Sequence, residues 1–193
     1  MARFIKTNAN YWGKNIGDCM IRSVSFGTNL GYIAVCNMLG LKWKHMHGLV
    51  TKKGVGVSRL ESNFVESGWI DEVYTDEIAS NFFFGGDDGE KDDFIDPEVG
   101  DTVDEFLQMY AGQGRFLLYV RPPKSEVNKD DWHMVYANAN NQKVFDTWDC
   151  RKWLVFGAYR IMKDKVPEDD PNSRQSEVAR LRAQYMKAAK KAH

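Results

Sequence analysis

Apolar positions recur at helical spacing early in the chain and at strand spacing later. Met20, Ile21 and Val24 fall on one face of a helix opening at Gly17-Asp18-Cys19, where Asp18 can serve as cap or first-turn acid. Gly27-Thr28-Asn29 interrupts that run. Tyr32, Val35, Cys36 and Leu39 then repeat at helical spacing up to Gly40, the expected C′ glycine. Ser58-Arg-Leu-Glu61 has the spacing of a capping box for a third helix stopping at Gly68. Thr102-Val-Asp-Glu105 has it for a fourth, with the stripe Val103, Phe106, Leu107 and Tyr110, ending near Gly112. From Arg115 the period shortens. Residues 116–120 read as a buried strand stopped by Pro122-Pro123, and 133–139 and 144–148 as a hairpin around Asn140-Asn141. Residues 154–162 read as a further strand. Beyond Pro167 and Pro171, Val178, Leu181, Tyr185 and Ala188/Ala189 mark an amphipathic helix with basic residues toward its end. Helices first and antiparallel strands second is an α+β order.

Composition narrows the class. With 193 residues, 43% hydrophobic and 27% charged, the chain can bury a substantial core. No apolar run approaches the roughly 18 residues of a membrane span, so no membrane partner is expected. The first residues lack the apolar core of a secretory signal. Cys19, Cys36 and Cys150 are an odd count without a Cys-x-x-Cys pair, which argues against a disulfide scaffold or zinc ribbon and for a reducing, cytoplasmic setting. The net charge of −1 conceals an asymmetry. Residues 71–105 carry 14 Asp/Glu against one Lys, and residues 173–193 carry six Lys/Arg against one Glu. Both read as solvated surface, or the basic tail touches an acidic partner or the chain's own acidic stretch. The pI near 6.4 gives no broad footprint for nucleic acid. Residues from about 74 to 100, with Phe82-Phe83-Phe84 inside, read as an irregular insertion that packs on the body or meets a partner. The domain reading is therefore 1–162 with this insertion, followed by a linker and basic helix over 163–193.

A thiol is a nucleophile only as thiolate. A helix N-terminus or a nearby histidine lowers its pKa from about 8.5 toward roughly 3.5–7.5. Cys19 sits at the predicted start of a helix, Cys36 on the apolar face of the next, and Cys150 without any helix-start signal. His45 and His47 alternate as on one strand face, but two ligands without a third make no metal site. His133 opens a strand after a loop, from which a general base can face another segment. Asp146 stands on the returning strand at roughly paired height, where it can orient the imidazole. Asp149 is the competing orienter, with opposite strand parity. Trp132 could shield the histidine from water or simply pack.

In the order helix-start Cys, strand His, next-strand Asp, the chain resembles the papain-like cysteine peptidase superfamily. Phe145-Asp146-Thr147-Trp148 is similar to the Asn-Ser-Trp segment of papain-type enzymes, with Asp146 in place of asparagine. Gly157-Ala-Tyr-Arg-Ile161 is similar to the Gly-Tyr-x-Arg-Ile strand that follows it. More closely, Gly17-Asp18-Cys19-Met-Ile-Arg22-Ser23 resembles the Gly-Asp-Cys-Val-x-Arg-Ala segment of small, mostly bacteriophage-encoded papain-like proteins. Residues 102–107 and 114–118, the histidine strand and Asp146-Thr147-Trp148-Asp149 also look like that group. The resemblance spans residues 10–162.

It implies Cys19 as nucleophile, His133 as general base and acid, and Asp146 as orienter, with no cofactor. Papain-type enzymes carry an oxyanion-hole glutamine some six residues before the cysteine, where Gly13 stands here. Asn15 is the nearest side-chain amide and the candidate substitute, with the backbone N–H of Cys19 as the other donor. The expected function is a cysteine hydrolase, a peptidase or isopeptidase with a protein or peptide substrate. The alternative is a phage virion or host-interaction protein that keeps the fold with weak or no turnover. Such a protein would lie in the host cytoplasm or the virion and contact phage structural or host proteins. Transglutaminase-like acyl transferases and cell-wall amidases share the Cys-His-acid order and form a third class.

Overall fold

In the computed structural model the described residues are 1–10, 17–41, 57–75, 100–122, 133–162 and 173–191. Their strands are β1 (Arg3–Lys6), β2 (Ile70–Thr75), β3 (Arg115–Arg121), β4 (His133–Asn138), β5 (Lys143–Asp146) and β6 (Leu154–Ile161). Their helices are α1 (Cys19–Thr28), α2 (Tyr32–Met38), α3 (Val57–Leu60, running into a π-helical turn over Glu61–Val65), α4 (Val103–Met109) and α5 (Arg174–Lys191). The architecture is mixed α+β around one six-stranded sheet of order β1-β5-β4-β3-β6-β2.

The sheet differs from the expected C-terminal antiparallel one at both edges. β1 lies parallel to β5, pairing Arg3 with Lys143 and Lys6 with Asp146. β2, from the first half of the chain, pairs antiparallel with β6. Both are short, and β2 (Ile-Asp-Glu-Val-Tyr-Thr) lies in the acidic stretch whose charge masks its alternation. In the centre, Phe116, Leu118 and Val120 of β3 face one layer and Leu117 and Tyr119 the other. That explains the unbroken apolar run, because a strand covered on both faces needs no polar side. One layer holds α1, α2 and α3 through Met20, Ile21, Val24, Tyr32, Phe64 and Met134. The other holds α4 through Phe106 and Leu107 against Phe116, Val135 and Val155.

Local signals largely fix the helix ends. Thr102 accepts from the Glu105 N–H at 3.3 Å while the Glu105 carboxylate accepts from the Thr102 N–H at 2.8 Å, so the capping box forms. Gly40, at φ +67°, closes α2, with its N–H on the Asn37 carbonyl and the Leu41 N–H on that of Cys36. Gly27 does not interrupt α1. The helix runs to Thr28, and Asn29 at φ 60° ends it. Gly27 serves close packing instead, since a Cβ there would lie 2.3 Å from Ile161 Cδ1. Ser58 lies inside α3 rather than at its cap. Residues 76–99, including the Phe82–Phe84 triplet, lie outside the described residues.

The tail helix is anchored. The buried Glu177 carboxylate accepts from the N–H groups of Tyr32 and, at 2.9 Å, Ile33 at the N-terminus of α2. Arg174 donates its N–H to the Asn29 carbonyl at 2.9 Å. Among the described residues no helix is long and apolar enough to cross a membrane.

Candidate active site

Cys19 is the first residue of α1, and its half-buried side chain reaches the end of the sheet where β4 begins and β5 stops. The helix is locked to β4 at one strand residue. Ser23, one turn along α1 from Cys19, donates to the Met134 carbonyl at 2.8 Å. The Met134 backbone also supplies a hydrogen bond to the Cys19 sulfur. Sliding α1 along the sheet would break both links. That sets the cysteine against the preceding strand residue, His133.

His133 is 4% exposed and engages two partners. Its Nε2 meets Asp146 Oδ2 in a short contact. Its side chain also hydrogen-bonds Cys19, for which Nδ1 is the nitrogen left. Trp148 and Trp153 flank the ring at centroid distances of 5.1 and 5.7 Å.

Asp146 closes β5, and its carbonyl accepts from the Thr7 N–H at 2.8 Å, continuing the β1 pairing. Tyr136 pairs with Phe145, so carrying the register on puts Asp146 opposite Val135, two residues from His133. The two side chains share a face but meet diagonally rather than at paired height. The reason is that β5 ends at Asp146 and the chain bends away through Thr147 and Trp148. The hairpin turn also takes four residues, 139–142, with Gln142 at φ 52°.

The electrostatics follow from this packing. Burial disfavours the Cys19 thiolate, yet the hydrogen bond and charge of His133, the Met134 backbone and the Arg22 cation together bring its pKa below the ordinary value. Burial likewise disfavours the His133 imidazolium, but Asp146 and Cys19 raise its pKa to about 9. The two shifts describe one proton held on nitrogen rather than sulfur. Cys36 and Cys150 are different. Both are fully buried, burial pushes the Cys36 thiol up to about 12, and burial with the Asp146 charge raises that of Cys150.

Asp149 does not face the histidine. It pairs with Arg151 at 2.7 and 2.8 Å, and that contact lowers its carboxyl pKa. Asn15, His45, His47 and Trp132 lie outside the described residues. Among the described residues no group of three or more His, Cys, Asp or Glu side chains is placed to hold a metal ion. Nothing in the sequence marks Trp148 or Trp153 as a neighbour of His133. An aromatic residue near a turn carries no spacing signal of its target. Asp18 is not a side-chain cap; fully buried, it accepts from Asn10 Nδ2 at 2.8 Å and the Tyr32 hydroxyl at 2.7 Å.

A thiol at a helix head, an imidazole and a carboxylate thus lie in one chain of contacts, an arrangement that can supply a nucleophile, a base and an orienter. The first N–H groups of α1 have no intrahelical acceptor and can face developing negative charge. Comparison of the chain with protein-family models, curated proteins and solved structures gives no match.

Proposed function

We propose that the chain is a cysteine hydrolase, a peptidase or isopeptidase on a papain-like arrangement. One observation carries the reading: a buried imidazole bonded both to a carboxylate and to the sulfur of a helix-start cysteine. At Cys36 and Cys150 burial raises the thiol pKa, the opposite of the shift at Cys19.

In this mechanism the Cys19 thiolate adds to an amide carbonyl carbon, forming the C–S bond and an oxyanion that faces the N–H of Cys19. Collapse breaks the C–N bond as the His133 imidazolium protonates the leaving amine, giving a thioacyl intermediate. Neutral His133 then takes a proton from water as the oxygen adds to that carbonyl. The second collapse expels the Cys19 thiolate, releases the acid and restores the ion pair. Asp146 keeps the ring oriented throughout, and Trp148 and Trp153 limit water around it. Incubation of denatured-protein mixtures with wild type and with Cys19→Ala tests the proposal. New peptide amino termini, read by mass spectrometry, are expected with the wild type alone. Equal yields from both proteins would refute it.

A further inference from the structure

Arg22 is 3% exposed, one turn along α1 from Cys19, and its guanidinium lies between two hydrogen-bond acceptors and a third, ion-paired carboxylate. Nη1 donates to Thr147 Oγ1 at 2.9 Å and reaches Asp146 Oδ1 at 3.4 Å. Nε stands 2.9 Å from Asp18 Oδ1. The oxygens of Asp146 are thus divided, Oδ2 toward His133 and Oδ1 toward Arg22. Asp18 holds the far side of the cation and is itself fixed by Asn10 and Tyr32. A buried cation survives only when its partners are fixed and close. These partners join the head of α1, the end of β5 and the bend after it.

We propose that Arg22, held by Asp18, is a positioning residue for the Cys19–His133 pair: it fixes the Asp146 carboxylate that orients the imidazole. The inference rests on the proposed hydrolase reading. The planar fork matters as much as the charge, because lysine cannot meet Asp18, Asp146 and Thr147 together. Among the described residues the charged and titratable groups around the pair are Arg22 and Asp18 at the head of α1, Asp146 from β5 and Tyr119 from β3. Tyr119 lies within electrostatic reach of the Cys19 sulfur, and Cys150 within that of Asp146.

The test is the pH dependence of Cys19 alkylation by iodoacetamide in wild type, Arg22→Lys and the double variant Asp18→Asn/Arg22→Gln. The double variant removes the direct pull of the Arg22 charge on the Cys19 sulfur together with its geometry, whereas Arg22→Lys keeps a buried cation, so Arg22→Lys separates position from charge. In either folded variant the Cys19 half-point is expected to rise by at least one pH unit, about a tenfold lower rate at pH values below the wild-type half-point. The rate at pH 9.5 should stay within twofold. The His133 Nε2 proton resonance should move, which loss of packing elsewhere would not cause. Should the double variant fail to fold, Arg22→Lys, which keeps the buried charge, decides. A wild-type profile and an unmoved resonance in the folded variants would overturn the Arg22 inference alone. An ordinary thiol profile in the wild type itself would overturn the hydrolase reading beneath it.

Discussion

Removing the Cys19 thiol should change how stability depends on pH in a way that no isolated histidine or cysteine would. In the unfolded chain a histidine titrates near 6.5 and a cysteine near about 8.5. Between those values the unfolded pair holds one proton, on sulfur. In the folded pair His133, whose pKa is about 9, keeps its proton while the depressed Cys19 gives up its own, so above the Cys19 half-point that pair also holds one. Equal proton counts give no slope, so the pair adds none to wild-type stability in that window. In Cys19→Ala, folded His133 keeps its proton through Asp146, whereas the unfolded histidine has lost it. The sign follows: a raised histidine pKa stabilises fully below the unfolded value, and that stability is lost as pH rises. The slope is about −1.4 kcal/mol per pH unit. Without Cys19 the His133 value falls below its wild-type level, so the variant should lose about 1–2.5 kcal/mol relative to wild type between pH 6.5 and 8.5. Urea denaturation of both proteins at half-unit pH steps measures this, and other titrating groups cancel in the difference. Parallel pH curves for the two proteins would refute a proton shared between Cys19 and His133.

Three further predictions probe neighbouring parts of the structure. Asp146→Asn keeps an acceptor for Nε2 but loses the charge, so the alkaline limb of peptide hydrolysis should move down from about 9, with roughly tenfold less activity at high pH per unit moved; an unmoved limb would contradict the assignment. Glu177→Ala removes two charge-assisted hydrogen bonds at the start of α2, an expected loss of about 2–4 kcal/mol in urea denaturation with faster hydrogen exchange at Tyr32 and Ile33; unchanged exchange there would show that the tail helix does not hold α2. Gly27→Ala gains about 1 kcal/mol of helix propensity but drives a Cβ against Ile161, Leu117 and Tyr136, costing about 1–3 kcal/mol; a clearly stabilised variant would contradict the packing argument.

The parts of the site readable from sequence are those written in local pattern. Cys19 announces itself by a glycine, an acid and then an apolar helical face. His133 and Asp146 share a face because strand parity is set by counting. The Thr102 box and the Gly40 cap are equally local, and both form. Arg22 could not be read this way. A single arginine in an amphipathic helix looks like surface, and its partner Asp146 lies 124 positions away. Glu177, on a tail that reads as solvated and basic, caps a helix 144 positions earlier at Ile33. β1 has four residues, and neither its length nor its flanks mark it as a strand until β5 is beside it. Long-range charge pairing and edge strands are set by tertiary packing, which periodicity does not encode.

The decisive measurement is the alkylation rate of each cysteine against pH, by mass spectrometry on native wild type and on His133→Ala. Cys36 and Cys150, fully buried, serve as internal controls. The proton-sharing pair predicts that Cys19 reacts well below pH 8 and that His133→Ala returns it to the ordinary thiol range near about 8.5. An ordinary Cys19 profile in the wild type, or one indifferent to His133, would contradict it.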